Sequence, residues 1–185
     1  PTKNLGALGD GGAIVTSDSV LAEKMRCLRQ YGWTTRYFQE RPGGRNSRLD
    51  ELQAGFLSVF LPHLDERNAK RRDIAKQYAA SGATLVHADF IESEQYVAHL
   101  AVCMVNNRSQ LVENMTSEKI ATGVHYPYLD TEFPTTKHLP RLPLPVSEAA
   151  KDRIITLPCF PEMTPSEVAT VCQAIKKNKQ FFEGL

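Results

Sequence analysis

The sequence predicts an α/β fold, and three observations support this prediction. Segments with helical spacing alternate with short apolar runs typical of strands, without internal repeats or low-complexity tracts. The pattern changes after Gly82, where short elements follow a long helical one. The 185 residues suffice for one domain, or for one domain and part of another. We therefore expect an α/β segment over 1–50, a connecting helix over 51–80 and a smaller α+β domain over 81–185.

The first fifty residues are predicted to contain one strand and one helix. The apolar run at 13–16 follows a glycine-rich segment and predicts a short buried strand. Ser17 or Asp18 then caps a helix whose apolar side chains recur at helical spacing until Gly32, the expected C′ residue. The polar stretch 34–48 contains a Pro-Gly-Gly sequence and predicts a loop.

The connecting helix is predicted from an apolar spacing that begins at Leu49 and continues to about residue 80. Pro62 interrupts this pattern, so we expect the helix to kink or restart there. The second half of the helix carries a basic cluster, which consists of Arg67, Lys70, Arg71 and Arg72. A solvated face is the favoured interpretation of this cluster, and a binding patch is the alternative.

The segment after Gly82 is predicted to hold short elements of both kinds. Strands are predicted at 84–86, 96–105 and 123–126, and helices at 109–121 and from Ser147 and Thr164 onwards. Glu167 lies three residues after Thr164, so this pair predicts a capping box at the start of the last helix. The proline-rich stretch 127–145 is expected to be irregular.

Charge and composition argue against several classes of function. The formal net charge of +1 gives no electrostatic basis for binding nucleic acid or an anionic membrane. No apolar run reaches the length of a membrane span, and the first residues show no hydrophobic signal segment. The cysteines are scattered without the paired spacing of a metal site: Cys27, Cys103, Cys159 and Cys172. We therefore expect reduced structural thiols, a cytoplasmic protein and no metal site.

Lys3 stands in the densest run of special residues, with a proline before it and four glycines shortly after it. Glycine lets the backbone pass close to a bulky planar ligand, since it has no Cβ and tolerates positive φ. A lysine fixed beside such a space is a candidate amine nucleophile for Schiff-base chemistry. The alternative is an exposed lysine beside a glycine turn that serves only packing.

Four segments, taken in order, resemble one known family. Residues 1–18 resemble a segment that carries a cofactor lysine, and residues 44–54 match the motif Gly-x-Asn-x-Arg-Leu-Asp-x-Leu-Gln-Ala. Residues 123–127 (Gly-Val-His-Tyr-Pro) and 157–161 (Leu-Pro-Cys-Phe-Pro) resemble two C-terminal signatures. The sequence is therefore similar to the DegT/DnrJ/EryC1/StrS family of sugar aminotransferases that use pyridoxal 5′-phosphate, and the resemblance covers essentially the whole chain.

The resemblance implies the aspartate-aminotransferase-like fold of the type I pyridoxal-phosphate-dependent transferases. Residues 1–50 would be a remnant of the large cofactor-binding domain, residues 51–80 the connecting helix, and residues 81–185 the small α+β domain. Full members of the family are roughly twice as long, so we expect this chain to be their C-terminal half. The large domain holds further cofactor contacts, and we therefore expect the chain alone to be inactive.

The resemblance assigns two cofactor contacts. Lys3 matches the catalytic lysine that binds pyridoxal phosphate as a Schiff base and later transfers a proton. Asn46 matches an asparagine that reaches from the neighbouring subunit towards the cofactor phosphate, where its amide donates without a change of charge. The alternative for Asn46 is a turn or N-cap residue before the helix at Leu49. Arg48 and Asp50 are expected to form a local pair at the helix entry, and a phosphate contact is the alternative for Arg48.

His125 and Tyr126 match residues that lie near the nucleotide-linked sugar in the family. A histidine can hydrogen-bond a diphosphate or a hydroxyl group, and a tyrosine can stack or donate. A buried edge strand with ordinary partners is the alternative for this segment. The sequence departs from many relatives after Pro127, so no substrate contact is assigned beyond that residue.

The resemblance implies an aminotransferase that moves an amino group from glutamate to a keto group of a nucleotide-linked sugar, in a homodimer. A related branch dehydrates sugars with histidine at the lysine position, and the presence of Lys3 argues against that branch. The alternative from another class is a non-catalytic binding or dimerisation module, either a fragment or a split subunit. Nucleic-acid binding through the cluster at 67–72 is a third interpretation, which the near-zero net charge disfavours.

Overall fold

The computed structural model describes residues 1–136 and 138–182. The chain divides into two compact units, Pro1–Leu64 and Asp65–Leu185. The boundary between them falls inside the segment predicted as the connecting helix. Lys137 and residues 183–185, which the predicted small domain includes, lie outside the described residues.

Helix α1, Ser19–Leu28, begins the regular structure of the first unit. Its N-cap is Asp18, whose Oδ1 accepts hydrogen bonds from Val20 N and Leu21 N at 2.8 and 3.0 Å. These two amides have no acceptor inside the helix, so the carboxylate satisfies them. The predicted cap at Asp18 is therefore confirmed. The helix ends earlier than expected, and Gly32 lies beyond its C′ position.

A short β-hairpin follows where a loop was expected. Strands β1 (Trp33–Thr35) and β2 (Phe38–Gln39) pair in the antiparallel sense. Two glycines allow the backbone on either side of the hairpin to approach closely, because a Cβ on Gly44 would lie 2.0 Å from Gly32 N. The sequence pattern does not predict the hairpin, since strands of two or three mostly exposed residues show no apolar alternation.

The expected strand at 13–16 is not formed in this chain. The segment makes no backbone–backbone hydrogen bond with any residue that the structure describes. Its apolar side chains are not buried either, since Ile14 is 71% exposed and Val15 is 92% exposed. A strand exists only through pairing with another strand, and the described part of the first unit offers none at this position.

The predicted connecting helix consists of two helices. Helix α2 spans Glu51–Phe60, one 3₁₀ turn follows at Leu61–His63, and helix α3 spans Leu64–Ala80. The restart at Pro62 is confirmed, because proline has no amide hydrogen for the preceding helix but fits the first turn of a new one. Helix α2 begins two residues after Leu49, with Asp50 as its N-cap.

The second unit contains a two-stranded antiparallel sheet. Strand β3 (Ala101–Met104) pairs with strand β4 (Ile154–Leu157), and Cys103 lies opposite Ile155. Both of these residues are fully buried. Only the end of the strand predicted at 96–105 is formed, and β4 was not predicted, since only its last residue, Leu157, belongs to a motif.

Three helices contribute side chains to the same apolar core as this sheet: α3, α4 (Arg108–Ser117) and α6 (Pro165–Lys177). Helix α5 (Pro145–Lys151) has no buried residue. The capping box at the start of α6 is confirmed. Glu167 N donates to Thr164 Oγ1 at 3.2 Å, and Thr164 N donates to Glu167 Oε2 at 2.7 Å.

Two other predicted strands are reduced to single bridges. Within the described residues, Leu85 forms a bridge to Cys103 alone, and Gly123 forms a bridge to Thr156 alone. The helix predicted at 109–121 ends at Ser117. The proline-rich stretch is irregular as predicted, apart from 3₁₀ turns at Asp130–Glu132 and Pro134–Thr136 and the start of α5 at Pro145.

The basic cluster of α3 is only in part the solvated face that was predicted. Arg71 is buried, Arg67 pairs with Glu162, and Arg72 Nη1 donates to a backbone carbonyl at 3.4 Å. Burial, followed by the neighbouring charge of Arg67, lowers the pKa of Arg71. Lys70 is exposed but forms an ion pair one helical turn along. These four residues do not form a free cationic surface.

Four free cysteines are present, and Cys27 and Cys172 lie in helices as predicted. None of the described helices combines the length and the apolar character that crossing a membrane requires.

Candidate functional site

Lys3 lies in a tight turn at the start of the first unit. Gly6 closes this turn with a φ of +69°, and a Cβ at Gly6 would lie 2.6 Å from Pro1 O and 3.2 Å from Lys3 O. The turn therefore requires glycine at position 6. The Lys3 side chain is exposed and makes no hydrogen bond or ion pair with a described residue. Its amine is thus available to an external carbonyl group.

The second motif packs against the glycine-rich segment that follows Lys3. Gln53 Nε2 donates a long hydrogen bond of 3.5 Å to Asp10 O, and a Cβ at Gly9 would lie 3.5 Å from the same nitrogen. A Cβ at Gly11 would lie 3.4 Å from Leu49 Cδ1. Two motifs separated by some forty residues in sequence are therefore in contact within one unit.

Asn46 belongs to the first unit as well, and its side chain is exposed. Asn46 Oδ1 accepts a hydrogen bond from Arg48 Nε at 3.2 Å. The expected local pair of Arg48 with Asp50 is absent from the ion pairs of the described residues, because Arg48 turns to Asn46 instead. Asp50, not Asn46, is the N-cap of α2. Since the amide oxygen is engaged, the amide NH₂ is the part of Asn46 that can donate to an anion.

A groove of about 950 Å³ runs through the first unit. Its lining includes residues 12–16, and also Arg45 and Ser47, which flank Asn46. Arg26 of helix α1 and the C-cap residue Arg29 also line the groove, beside apolar side chains. Neither arginine was predicted as a site residue, although their spacing of three residues places both on one face.

His125 and Tyr126 lie in the second unit, directly after the Gly123 bridge. His125 is partly exposed, and its Nδ1 lies 2.9 Å from Thr156 Oγ1. Tyr126 is 61% exposed, and its ring meets the imidazole edge-on at a centroid distance of 5.4 Å. The expected edge strand at 123–126 is therefore only a bridge, and the two side chains remain accessible.

The signature at 157–161 is anchored in the core of the second unit. Tyr78 is fully buried and its hydroxyl donates to Pro158 O at 2.7 Å. Burial raises the pKa of Tyr78 above its ordinary range. Burial also raises the pKa of Cys159 to about 12, so its thiol remains protonated at neutral pH. This segment has a packing role and does not supply a thiolate nucleophile.

The four predicted site residues thus belong to two units. Lys3 and Asn46 lie in the first, and His125 and Tyr126 lie in the second. Among residues 1–136 and 138–182, no group of three histidine, cysteine or acidic side chains is arranged to hold a metal ion.

Comparison with known proteins identifies the family. The model of the DegT/DnrJ/EryC1/StrS aminotransferase family matches residues 1–176. The chain is 35% identical over 180 residues to UDP-N-acetyl-3-dehydro-alpha-D-glucosamine 3-aminotransferase of Acidithiobacillus ferrooxidans, covering 96% of this chain and 48% of that protein. The chain therefore spans about half the length of the curated relatives that it matches.

Solved structures of similar proteins support the same family. DesV of S. venezuelae, in complex with a ketimine intermediate, superposes with a TM-score of 0.87 at 33% identity, over 100% of this chain and 50% of DesV. NtdA of Bacillus subtilis, with the bound cofactor PMP, gives a TM-score of 0.80 at 26% identity, over 94% of this chain and 43% of NtdA. The predicted fold, a part of the type I pyridoxal-phosphate-dependent transferase fold, is confirmed by these neighbours. The chain belongs to the DegT/DnrJ/EryC1/StrS aminotransferase family.

Proposed function

We propose that this chain is part of a pyridoxal-phosphate-dependent aminotransferase that moves an amino group from glutamate to a keto group of a nucleotide-linked sugar. Family membership supports the reaction class. The relative named for a UDP-linked dehydro sugar supports the substrate class, and the neighbour with bound PMP supports the cofactor. Because the chain spans about half of its relatives, the activity is proposed for the full-length protein.

The contact between the two motifs of the first unit carries this proposal. The lysine turn is closed by Gly6, and the segment after it is held by Leu49 and Gln53 of the second motif. A lysine in a flexible surface segment would need neither a left-handed glycine nor a packed support. The residues present therefore fit the cofactor: a free amine, a glycine-lined backbone, and an amide donor for a phosphate.

Lys3 has two chemical roles in this proposal. As a neutral amine, Lys3 Nζ would hold the cofactor covalently through its aldehyde carbon, whose oxygen would leave as water. After an amino donor has displaced it, Nζ removes a proton from the donor's carbon and delivers a proton in the reverse direction. The bound cofactor supplies a pyridinium ring that accepts electrons from the reacting carbon. The amino donor and the sugar would occupy the same site in turn, which gives ping-pong kinetics.

The other site residues bind and orient. Asn46 would donate its amide hydrogens to the cofactor phosphate of the neighbouring subunit, which requires a homodimer. His125 would donate to an oxygen of the nucleotide-linked sugar, and the exposed ring of Tyr126 would stack or donate beside it.

The four free cysteines support a reducing compartment, and we therefore propose a cytoplasmic location.

Trapping at Lys3 tests the proposal. Full-length protein mixed with pyridoxal phosphate is expected to show a visible absorbance band. Borohydride is then expected to fix the mass of the cofactor on the peptide that contains Lys3, as measured by mass spectrometry. Lys3→Arg should lose both signals, because its guanidinium is charged and not nucleophilic. Lys24→Arg, at another exposed lysine in the first unit, is the matched control and should retain both.

The same experiment separates the enzyme from the non-catalytic alternative. A full-length protein that remains colourless with pyridoxal phosphate would contradict the aminotransferase proposal and favour a binding or dimerisation module. The donor is tested separately, because a ping-pong enzyme releases 2-oxoglutarate from glutamate before any sugar is added. Release of the keto acid only from another amino acid would contradict glutamate as the donor.

A further inference from the structure

The imidazole of His125 is held by two other residues of the second unit. Its Nδ1 lies 2.9 Å from Thr156 Oγ1. The ring also lies over Gly123, where a Cβ would be 2.9 Å from His125 Cε1. Gly123 and Thr156 are joined by two backbone hydrogen bonds of 3.0 and 2.7 Å. The ring is therefore fixed against a backbone bridge to strand β4.

Thr156 is the buried member of this arrangement. It is 6% exposed, and it lies between two core residues of β4, so its side chain projects from the opposite face of the strand. Its hydroxyl makes one side-chain contact with the described residues, the one to His125 Nδ1. Any other orientation of the hydroxyl hydrogen would leave a buried donor without an acceptor.

This geometry determines which nitrogen of the neutral ring carries the proton. If Nδ1 carried it, Thr156 Oγ1 would accept the hydrogen bond from Nδ1–H, and the hydroxyl's own hydrogen would be left unpaired in a buried position, which is unfavourable. If Nε2 carries it, the hydroxyl donates to Nδ1 and no donor is left unpaired. The hydrogen bond to one ring nitrogen thus decides the state of the other.

We propose that Thr156 is a positioning residue that fixes His125 as the Nε2–H tautomer, so that Nε2 is a hydrogen-bond donor to an anionic oxygen. His125 Nε2 has no hydrogen-bond partner among the described residues, and it is therefore available to a ligand. Under the proposed function, on which this ligand assignment rests, the acceptor is a diphosphate oxygen of the nucleotide-linked sugar. Gly123 belongs to the same arrangement, because a side chain there would displace the His125 ring.

Nitrogen-15 NMR of the 185-residue chain, labelled at its five histidines, tests the tautomer without reference to activity. At about pH 8.5, where an ordinary imidazole is neutral, His125 is expected to show a protonated Nε2 and an unprotonated Nδ1. The His125→Gln spectrum assigns the signals. Thr156→Val should shift them towards a mixture of tautomers, and Thr156→Ser should retain the wild-type pattern because it keeps the hydroxyl.

Thr84→Val is the matched control, since Thr84 Oγ1 donates to Phe182 O at 2.7 Å in the same unit, away from His125. It should leave the His125 signals unchanged. A wild-type His125 with the proton on Nδ1 would overturn the proposal, and so would an unchanged tautomer in Thr156→Val. If Thr156→Val does not fold, the wild-type and Thr156→Ser spectra still show which nitrogen of His125 carries the proton.

Kinetics of the full-length enzyme then test the ligand. Loss of a fixed hydrogen bond to a charged oxygen should raise KM for the nucleotide sugar about tenfold in Thr156→Val, while KM for the amino donor stays unchanged. If His125→Ala leaves KM for the sugar unchanged, the substrate contact of the proposed function is wrong. The spectra would still report on Thr156 in that case, so the two failures can be distinguished.

Discussion

Tyr78 connects helix α3 to the signature at 157–161 through one buried hydrogen bond, from its hydroxyl to Pro158 O. Tyr78→Phe removes the donor and leaves a carbonyl in the interior without its partner. We expect the free energy of unfolding to fall by about 1 to 3 kcal/mol, measured by urea denaturation of the second unit. Tyr128→Phe is the control, because that hydroxyl is exposed and should change stability little. An equal effect of both substitutions would contradict the role of the Pro158 contact.

Glu167 makes the stability of α6 depend on pH. Hydrogen bonds from Thr164 N, and then from the Thr164 hydroxyl, lower the pKa of Glu167 below its ordinary value. A carboxylate whose pKa is depressed by folding stabilises the native state fully above its unfolded pKa, about 4.3. That contribution is lost as the pH falls through the lower, folded pKa. We therefore expect part of the loss of stability on acidification below about pH 4.3 to come from this residue.

Urea unfolding at a series of pH values measures the effect. Glu167→Gln should lose less unfolding free energy on acidification than the wild type does, because glutamine does not titrate. Glu94→Gln, at an exposed carboxylate without a hydrogen bond to a described residue, should leave that loss unchanged. A profile of Glu167→Gln that parallels the wild type would exclude the capping box as a source of acid sensitivity.

The sequence predicts individual site residues when their role depends on neighbouring residues or on a recognisable motif. Lys3, Asn46, His125 and Tyr126 were selected from motifs, and their proposed roles remain predictions. Thr156 was not selected, because its contact to His125 joins positions 31 residues apart and no spacing rule connects them. Arg71 was assigned to a solvated face for the same reason, since its burial depends on tertiary packing.

Among the elements, the hairpin of the first unit depends on one close approach of backbone to backbone. A Cβ at Gly44 would lie 2.0 Å from Gly32 N, so Gly44→Ala must displace the hairpin. We expect a loss of about 1 to 3 kcal/mol or more in unfolding free energy. Trp33 is the single tryptophan of the chain and lies in β1, so its fluorescence reports directly on this element.

Gly55→Ala is the matched control in the same unit. Gly55 lies inside α2, and a Cβ there would meet nothing within 4 Å, so the methyl group of alanine has room. Because glycine is a poor helix residue, the substitution should raise stability by about 0.5 to 1 kcal/mol. Gly44→Ala with unchanged tryptophan fluorescence and stability would show that the backbone approach is not required.

Helix termini were more predictable than strands for a physical reason. The Asp18 cap, the Thr164–Glu167 box and the restart at Pro62 each involve atoms within four residues, so the local sequence contains the cause. The strand at 13–16 and the bridges at Leu85 and Gly123 depend on partners distant in the chain. Apolar runs indicate that a segment is suited to a sheet, but not whether a partner strand is present.

At the scale of the whole molecule, the apolar core is distributed unequally. Of the buried apolar residues that the structure describes, all except Cys27 lie in the second unit. Helices α3, α4 and α6 share one cluster with β3 and β4, whereas α2 has no buried residue. Since burial of apolar surface is the main source of stability, the second unit should be the stable part of the chain.

Two separate fragments test the predicted difference in stability between the two units. The fragment 65–185 is expected to unfold in one cooperative thermal transition, followed by circular dichroism. The fragment 1–64 should unfold at a lower temperature than the fragment 65–185, as followed by its Trp33 emission. Unfolding of 1–64 at the same temperature as 65–185, or at a higher one, would contradict the inference from burial.

The uncovered segment at 13–16 also has a consequence for the behaviour of concentrated solutions. An extended apolar segment with free amide and carbonyl groups can add to any sheet edge that it meets, including the same segment of another molecule. Turbidity that grows with protein concentration would originate there rather than in the folded second unit. A single charge in place of the exposed Val15 would act as a gatekeeper against such stacking and would improve the shelf life of the sample.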